Sequence, residues 1–260
     1  MFLAEPPATQ YDLHFRFAGT PVRIHPFFWV TTLILGLSGG GRTPPAEILG
    51  WVVAVLVSIL IHEFGHAIVQ RRYGGHPRII LYGFGGLAVC NDCDRSTKSQ
   101  ILISLAGPVA GFLFAAVVLV AIRVVGHQAG IHWGSNVPLE ALGLESARVM
   151  RIVGMSFYWE PFPSEHVDHL IGDLLWINGL WGLVNLLPIY PLDGGHVSRE
   201  LCLLGRPRQG LILSLQISMV AAGAMVLVGL SWRSLLVPIF FAYLAYSSYR
   251  TLEAYRASPW

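Results

Sequence analysis

Residues 48–69 read ILGWVVAVLVSILIHEFGHAIV. From Ile48 to Ile61 no side chain is charged, which is the composition of a membrane span; His62, Glu63 and His66 then follow within one turn. On a helix, His62 and His66 lie four residues apart on one face, so both imidazoles can reach a single zinc ion. Glu63 stands beside them, placed to take a proton from water. An ionisable side chain at membrane depth costs about 2.5–3.5 kcal/mol, so three together mark function. The pairing points to hydrolysis inside a bilayer.

The whole chain agrees with this. Its 260 residues are 54% hydrophobic and 12% charged, with mean hydropathy +0.58. A soluble domain carries about 25% charged residues, so the composition predicts an all-α polytopic membrane protein. A net charge of +2 gives no footing for a nucleic-acid partner. Six apolar segments stand out, at 22–38, 48–69, 101–125, 170–187, 211–230 and 235–249, most of them near the ~20 residues that span a bilayer. The first is the weakest, being short and carrying Pro21, His25 and Pro26 at its start. No basic stretch followed by a short apolar run and cleavage site opens the chain, so no cleaved signal peptide is expected. The reading is one transmembrane domain over 1–260 without a separate soluble domain. With six spans, both termini share a side. That side holds twelve of the 17 Lys and Arg residues, against five (Arg42, Arg123, Arg148, Arg151 and Arg233) on the other. The positive-inside rule then places both termini, and the end of the second span that carries His62 and His66, in the cytoplasm.

Two histidines leave zinc short of the usual three protein ligands. Residues 67–72 (AIVQRR) supply no histidine or carboxylate, so the third ligand comes from elsewhere. The best candidate is Asp193, in NLLPIYPLDGG at 185–195, at the cytoplasmic end of the fourth span. Pro188 and Pro191 break the helix, and Gly194 and Gly195 permit a reversal. Irregular backbone at membrane depth persists only where it is buried in protein or lines a wet cavity. Asn185 can donate an amide hydrogen bond to a developing oxyanion or to substrate backbone. The cysteines Cys90, Cys93 and Cys202 all fall on the cytoplasmic side, where a structural disulfide is not expected. Cys90 and Cys93 form a lone C-x-x-C; a zinc knuckle needs a second ligand pair and none is near in sequence, so they read as ordinary loop cysteines.

The motif His62-Glu63-Phe64-Gly65-His66, paired with Asn185-x-x-Pro188-x-x-Pro191-Leu192-Asp193-Gly194, resembles the signature of the site-2 protease family of intramembrane zinc metalloproteases. Ser104-Leu105-Ala106-Gly107-Pro108 is similar to a further core motif of that family, although Gly111 stands where many members have asparagine. The resemblance implies one Zn2+ per chain held by His62, His66 and Asp193, Glu63 as acid and base, and Asn185 as a transition-state or substrate donor. It implies a single-span membrane protein as substrate, such as an anti-sigma factor, a membrane-anchored transcription factor or a pro-protein, in regulated intramembrane proteolysis at a bacterial or archaeal inner membrane. The spacing of the apolar segments leaves no room for a PDZ domain, and none for a CBS domain after the last; the compact form is expected.

Residues 77–90 read as two short strands about a glycine turn. In the family the matching segment is a membrane-associated β-hairpin, and Tyr82, Gly83, Phe84, Gly85 and Gly86 are the candidate contacts for an extended substrate added along its edge. Residues 139–157 are expected to form an amphipathic interfacial helix, with Trp133, Tyr158 and Trp159 at headgroup level. Ser164 is expected to cap the fourth span, and Asn178 to make an interhelical hydrogen bond. The competing class is a zinc-binding membrane transporter or sensor without proteolysis. It calls for several polar sites along a path, and the last two segments offer little beyond Gln216 and a few serines.

Overall fold

The structure is a computed structural model that describes residues 5–37, 44–83, 85–207, 209–232 and 235–257. Phe84, Ser38, Arg42 and Arg233 therefore lie outside the described residues. Among the described residues, three helices are long and apolar enough to cross a membrane: α2 (Pro45–Arg72), α3 (Thr97–Val124) and α7 (Gly210–Ser231). At 1.5 Å per residue, α2 and α3 are each about 42 Å long, more than the ~30 Å hydrocarbon thickness.

The other expected spans take different forms. Val22 belongs to a strand, and α1 (Pro26–Leu37) has 12 residues, or about 18 Å. Pro26 starts this helix because its fixed φ suits a first helical position, while His25 before it is held extended. The fourth segment is one unbroken helical run with a π turn inside it: α4 (Glu165–Trp176), a π turn at Ile177–Trp181, and α5 (Gly182–Asn185). Two further helices, α6 (Asp193–Gly205) and α8 (Leu236–Ala257), complete the set among the described residues.

The sequence predicts an all-α protein with one hairpin; the structure instead carries two β-sheets among its helices. Strands β1 (Leu13–Phe17), β2 (Thr20–Ile24), β3 (Arg78–Tyr82) and β4 (Gly85–Val89) form a four-stranded sheet in that order. The expected hairpin is β3–β4. A second hairpin, β1–β2, turns at Ala18 and Gly19, both with positive φ, the conformation of a two-residue hairpin loop. It pairs parallel to β3, with Val22 opposite Ile79. The crossover through α1 and α2 makes a parallel pairing possible. Ile79, Ile80 and Leu81 are fully buried. With Val22, Ile24, Phe28, Ala54, Val55 and Ala67, Ile79 and Leu81 weld the sheet to α2.

A second sheet, β5 (Ala129–Trp133), β6 (Arg148–Ile152) and β7 (Met155–Trp159), has order β5-β7-β6. This corrects the helix expected over 139–157, where only a 3-10 turn at Glu140–Leu142 is helical. Val153 and Gly154 both adopt positive φ and close a β6–β7 hairpin. Tyr158 and Trp159 are buried rather than at a membrane surface, while Trp133 is exposed. Ser164 occupies the N-cap position of α4 without a side-chain cap bond. Asp168 instead goes inward, accepting hydrogen bonds from Trp159 Nε1 (3.0 Å) and Phe162 N (3.1 Å). Asn178, in the π turn, donates to Ser58 Oγ of α2 at 2.8 Å, the interhelical bond expected of it.

Candidate metal centre

Helix α2 carries His62, Glu63 and His66, all buried. The two Nε2 atoms lie 3.2 Å apart. His66 Nδ1 faces Ile103 O of α3 at 2.7 Å. A carbonyl oxygen only accepts, so Nδ1 carries the proton and Nε2 keeps its lone pair free. The fit to α3 depends on Gly107: a Cβ there would come within 2.6 Å of His62 Nε2 and overlap the His66 ring.

Asp193 is the first residue of α6, 131 positions beyond His62, yet its Oδ2 lies 3.1 Å from His62 Nε2 and its Oδ1 3.3 Å from His66 Nε2. The segment ahead of it is irregular, with a cis Tyr190–Pro191 peptide. Its backbone donors are nonetheless all met. Leu186, Leu187, Ile189 and Leu192 bond to nearby carbonyls, and Pro188 and Pro191 have no N–H. Tyr190 N alone needs a side chain, Ser218 Oγ of α7, at 2.9 Å. Ser218 also donates to Pro188 O, and Ser248 of α8 donates to Tyr190 O, each at 3.3 Å. Gly194 and Gly195 do not reverse the chain at positive φ; they begin α6, buried against the backbone of 186–190.

The three donors fit zinc. Bonds of about 2.0–2.1 Å set a tetrahedral edge near 3.3–3.4 Å; the two imidazole Nε2 atoms are 3.2 Å apart, and each has one Asp193 oxygen near it, Oδ2 at 3.1 Å from His62 and Oδ1 at 3.3 Å from His66. Two imidazoles and a carboxylate are also the donor types zinc accepts. His62, Glu63 and His66 can each bring one donor atom within 4.8 Å of the others.

Strand β4 closes the other side. A Cβ on Gly86 would lie 2.5 Å from Glu63 Oε1, so only a glycine lets the strand come this close. Gln70, one turn after His66, donates to Ala88 O at 3.1 Å and fastens β4 to α2. Among the described residues β4 pairs with no strand other than β3. Tyr82 is buried at the end of β3, Gly83 forms the turn and Gly85 has positive φ. Asn185 is buried at the end of α5, without a hydrogen bond to the three donors among the described residues. Sequence reasoning missed the contact of Gly86 with Glu63 and the two serines, which no motif marks.

A buried three-donor centre on helices of membrane-spanning length and apolarity defines an integral-membrane metalloprotein. The profile of peptidase family M50 matches residues 50–230, and the chain belongs to that family. It is similar to the zinc metalloprotease MJ0392 of Methanocaldococcus jannaschii, at 24% identity over 72% of this chain and 44% of that protein. It is also similar to the putative zinc metalloprotease Rip3 of Mycobacterium tuberculosis, at 29% over 71% and 42%. Stage IV sporulation protein FB of Bacillus subtilis matches at 26% over 68% and 46%. The chain thus spans less than half the length of these relatives. The solved site-2 protease from Methanocaldococcus jannaschii superposes with TM-score 0.56 at 20% identity, covering 93% of this chain and 95% of that one; that likeness is one of fold.

Proposed function

We propose that the protein is a zinc-dependent intramembrane endopeptidase. The observation that carries this is the convergence of His62, His66 and Asp193 to within 3.3 Å, with Glu63 alongside, on an apolar helix. A zinc ion held there supplies Lewis acidity, which polarises a carbonyl and makes water acidic near neutral pH. Glu63 takes a proton from water at a carboxylate oxygen and delivers it to the leaving amine nitrogen. Asn185 offers its amide N–H to the carbonyl oxygen as charge develops there. The edge of β4 away from β3, beside Gly86 and Glu63, holds the substrate extended by strand addition. A helical substrate must be unwound, because its carbonyls are otherwise hydrogen-bonded.

The substrate class is a single-span membrane protein cut in or near its span, in regulated proteolysis. In this reading 1–260 is one membrane domain. Helices α1, α4–α5 and α8 join α2, α3 and α7 in the bilayer, both termini face the cytoplasm, and the metal centre lies toward that side.

The test is cleavage of a single-span reporter by purified protein, comparing wild type, chelator-treated protein and Glu63→Gln, with zinc measured in parallel. Glu63→Gln is expected to retain zinc and lose cleavage. Cleavage by zinc-loaded Glu63→Gln would refute the role of Glu63. Zinc-dependent ion flux indifferent to that substitution would favour the transporter class instead.

A further inference from the structure

A second group of metal-type side chains lies beyond the C-terminal end of α2. Cys90, Asp92 and Cys93, on the connection from β4 to α3, can each place a donor atom within 4.8 Å of the others. The connection from α2 to β3 brings a fourth. His76 Nδ1 lies 2.6 Å from Asp92 Oδ2, and the His76 backbone N–H donates to Asp92 Oδ1 at 3.0 Å. Cys90 Sγ is 3.3 Å from the same Oδ1. Gly75 forms the floor, and any Cβ there would run into both sulfurs. In the structure the sulfurs are joined as a disulfide, contrary to the unpaired loop cysteines expected from sequence. This is the oxidised form of a C-x-x-C pair whose missing partners, His76 and Asp92, are supplied by the fold rather than by sequence spacing.

We propose that when Cys90 and Cys93 are reduced, these two thiolates with Asp92 and His76 bind a second divalent cation of the zinc type, separate from the His62, His66 and Asp193 centre. Two thiolates select a thiophilic ion such as zinc, and four protein donors leave no open position, the mark of a structural site. Binding releases the two thiol protons to water. Oxidation ejects the ion. A small-molecule disulfide takes one electron from each sulfur; the Cys90–Cys93 bond forms as the oxidant's S–S bond breaks, its halves leave as thiols, and neither cysteine retains a thiolate to hold the metal. The site staples both connections that flank the hairpin. Cys93 Sγ sits 3.7 Å from Gln70 O, and the Gln70 side chain holds the strand that lies against Glu63. The inference needs neither the proteolytic reading nor the membrane orientation.

The experiment counts zinc on the full chain purified in detergent. With a dithiol reductant, wild type is expected to hold two zinc ions per chain. It should hold one after oxidation by a small-molecule disulfide, and one in Cys90→Ser/Cys93→Ser in either state. Alkylating the reduced wild type with N-ethylmaleimide should release one ion, a readout that needs no variant to fold. Cobalt substitution should give the thiolate-to-metal charge-transfer absorption in wild type and lose it in the double variant. Reduced wild type holding a single ion that survives alkylation, with no such absorption, overturns the second site. A single ion that alkylation removes supports this site and counts against metal binding at His62, His66 and Asp193, so the two failures are distinguishable.

Discussion

Replacing Ser218 with alanine tests how Asp193 is held in place. The hydroxyl is the one side chain that completes the backbone donors of residues 186–192, through its 2.9 Å bond from Tyr190 N, and it also donates to Pro188 O. Ser218 is 1% exposed, so no water replaces it readily. Leaving a buried backbone N–H unpaired costs about 1–3 kcal/mol. If that cost falls on the conformation that presents Asp193, zinc binding weakens by about 5- to 150-fold, at 1.4 kcal/mol per tenfold. Ser248→Ala should do less, since it removes one bond of 3.3 Å to a carbonyl. The assay is competition for zinc against a fluorescent chelator in detergent, with thermal unfolding of the zinc-free protein in parallel. Ser218→Ala should raise the zinc Kd and lower kcat at saturating zinc by less than it raises Kd; Ser218→Thr, which keeps the hydroxyl, should recover most of the affinity. An unchanged zinc Kd in a Ser218→Ala protein that unfolds at a lower temperature would show that the serine stabilises the bundle without positioning the ligand. Unchanged values of both would refute the hydrogen-bond argument itself.

Gly107→Ala drives a methyl group into both imidazoles; overpacking costs about 1–3 kcal/mol, and equilibrium dialysis should show roughly 5- to 150-fold weaker zinc retention. Gly86→Ala presses on Glu63 instead, so zinc should stay while kcat falls by about 10- to 100-fold, in keeping with the sensitivity of catalysis to small misplacements; retained kcat would separate β4 from Glu63. Asp94 gives a pH-dependent expectation at the start of α3. The Ser96 hydroxyl and backbone N–H hold its carboxyl below the usual range. A depressed carboxylate pKa stabilises the fold above the unfolded value of 3.8 and ceases to do so as pH falls through the folded value. The Tm difference between wild type and Asp94→Asn should therefore be present at pH 7 and vanish in acid; a difference that persists in acid would assign it to packing.

Helix α2 was legible in the sequence because one stretch carried two signals at once, span composition and a helical His-x-x-x-His pair. Asp193 was legible for a different reason. Two prolines in an apolar context demand a backbone that leaves the helix, and an acid beside such a break has reason to turn inward. The first sheet was only half legible. Residues 77–90 show apolar runs about a glycine turn, but nothing in residues 13–24 announces that they pair in parallel with a strand beyond two helices. The Val22-to-Ile24 stretch looked like the start of a span because strand and span share apolar residues, and periodicity over so few positions does not separate them. Residues 139–157 failed for a sharper reason. Val153-Gly154 is a hairpin turn when both φ values are positive, and nothing in the sequence requires a valine to adopt that conformation.

What remained hidden follows one physical rule. A buried irregular segment must find a partner for each backbone N–H. Between residues 186 and 192 most partners are local carbonyls, so proline spacing already implied them. The last donor, at Tyr190, lies beyond local reach and is met from α7, with α8 completing the carbonyl side. The same holds for His66, whose ring is oriented by a backbone carbonyl of α3, an atom every residue possesses. Ligands are chosen by side-chain chemistry and leave motifs. The groups that aim them are hydroxyls, glycines and carbonyls, whose value depends on position alone. A substitution at Ser218 or Gly107 is therefore expected to reach the candidate metal centre, and one at Gly86 to reach Glu63, although nothing in the residue type says so.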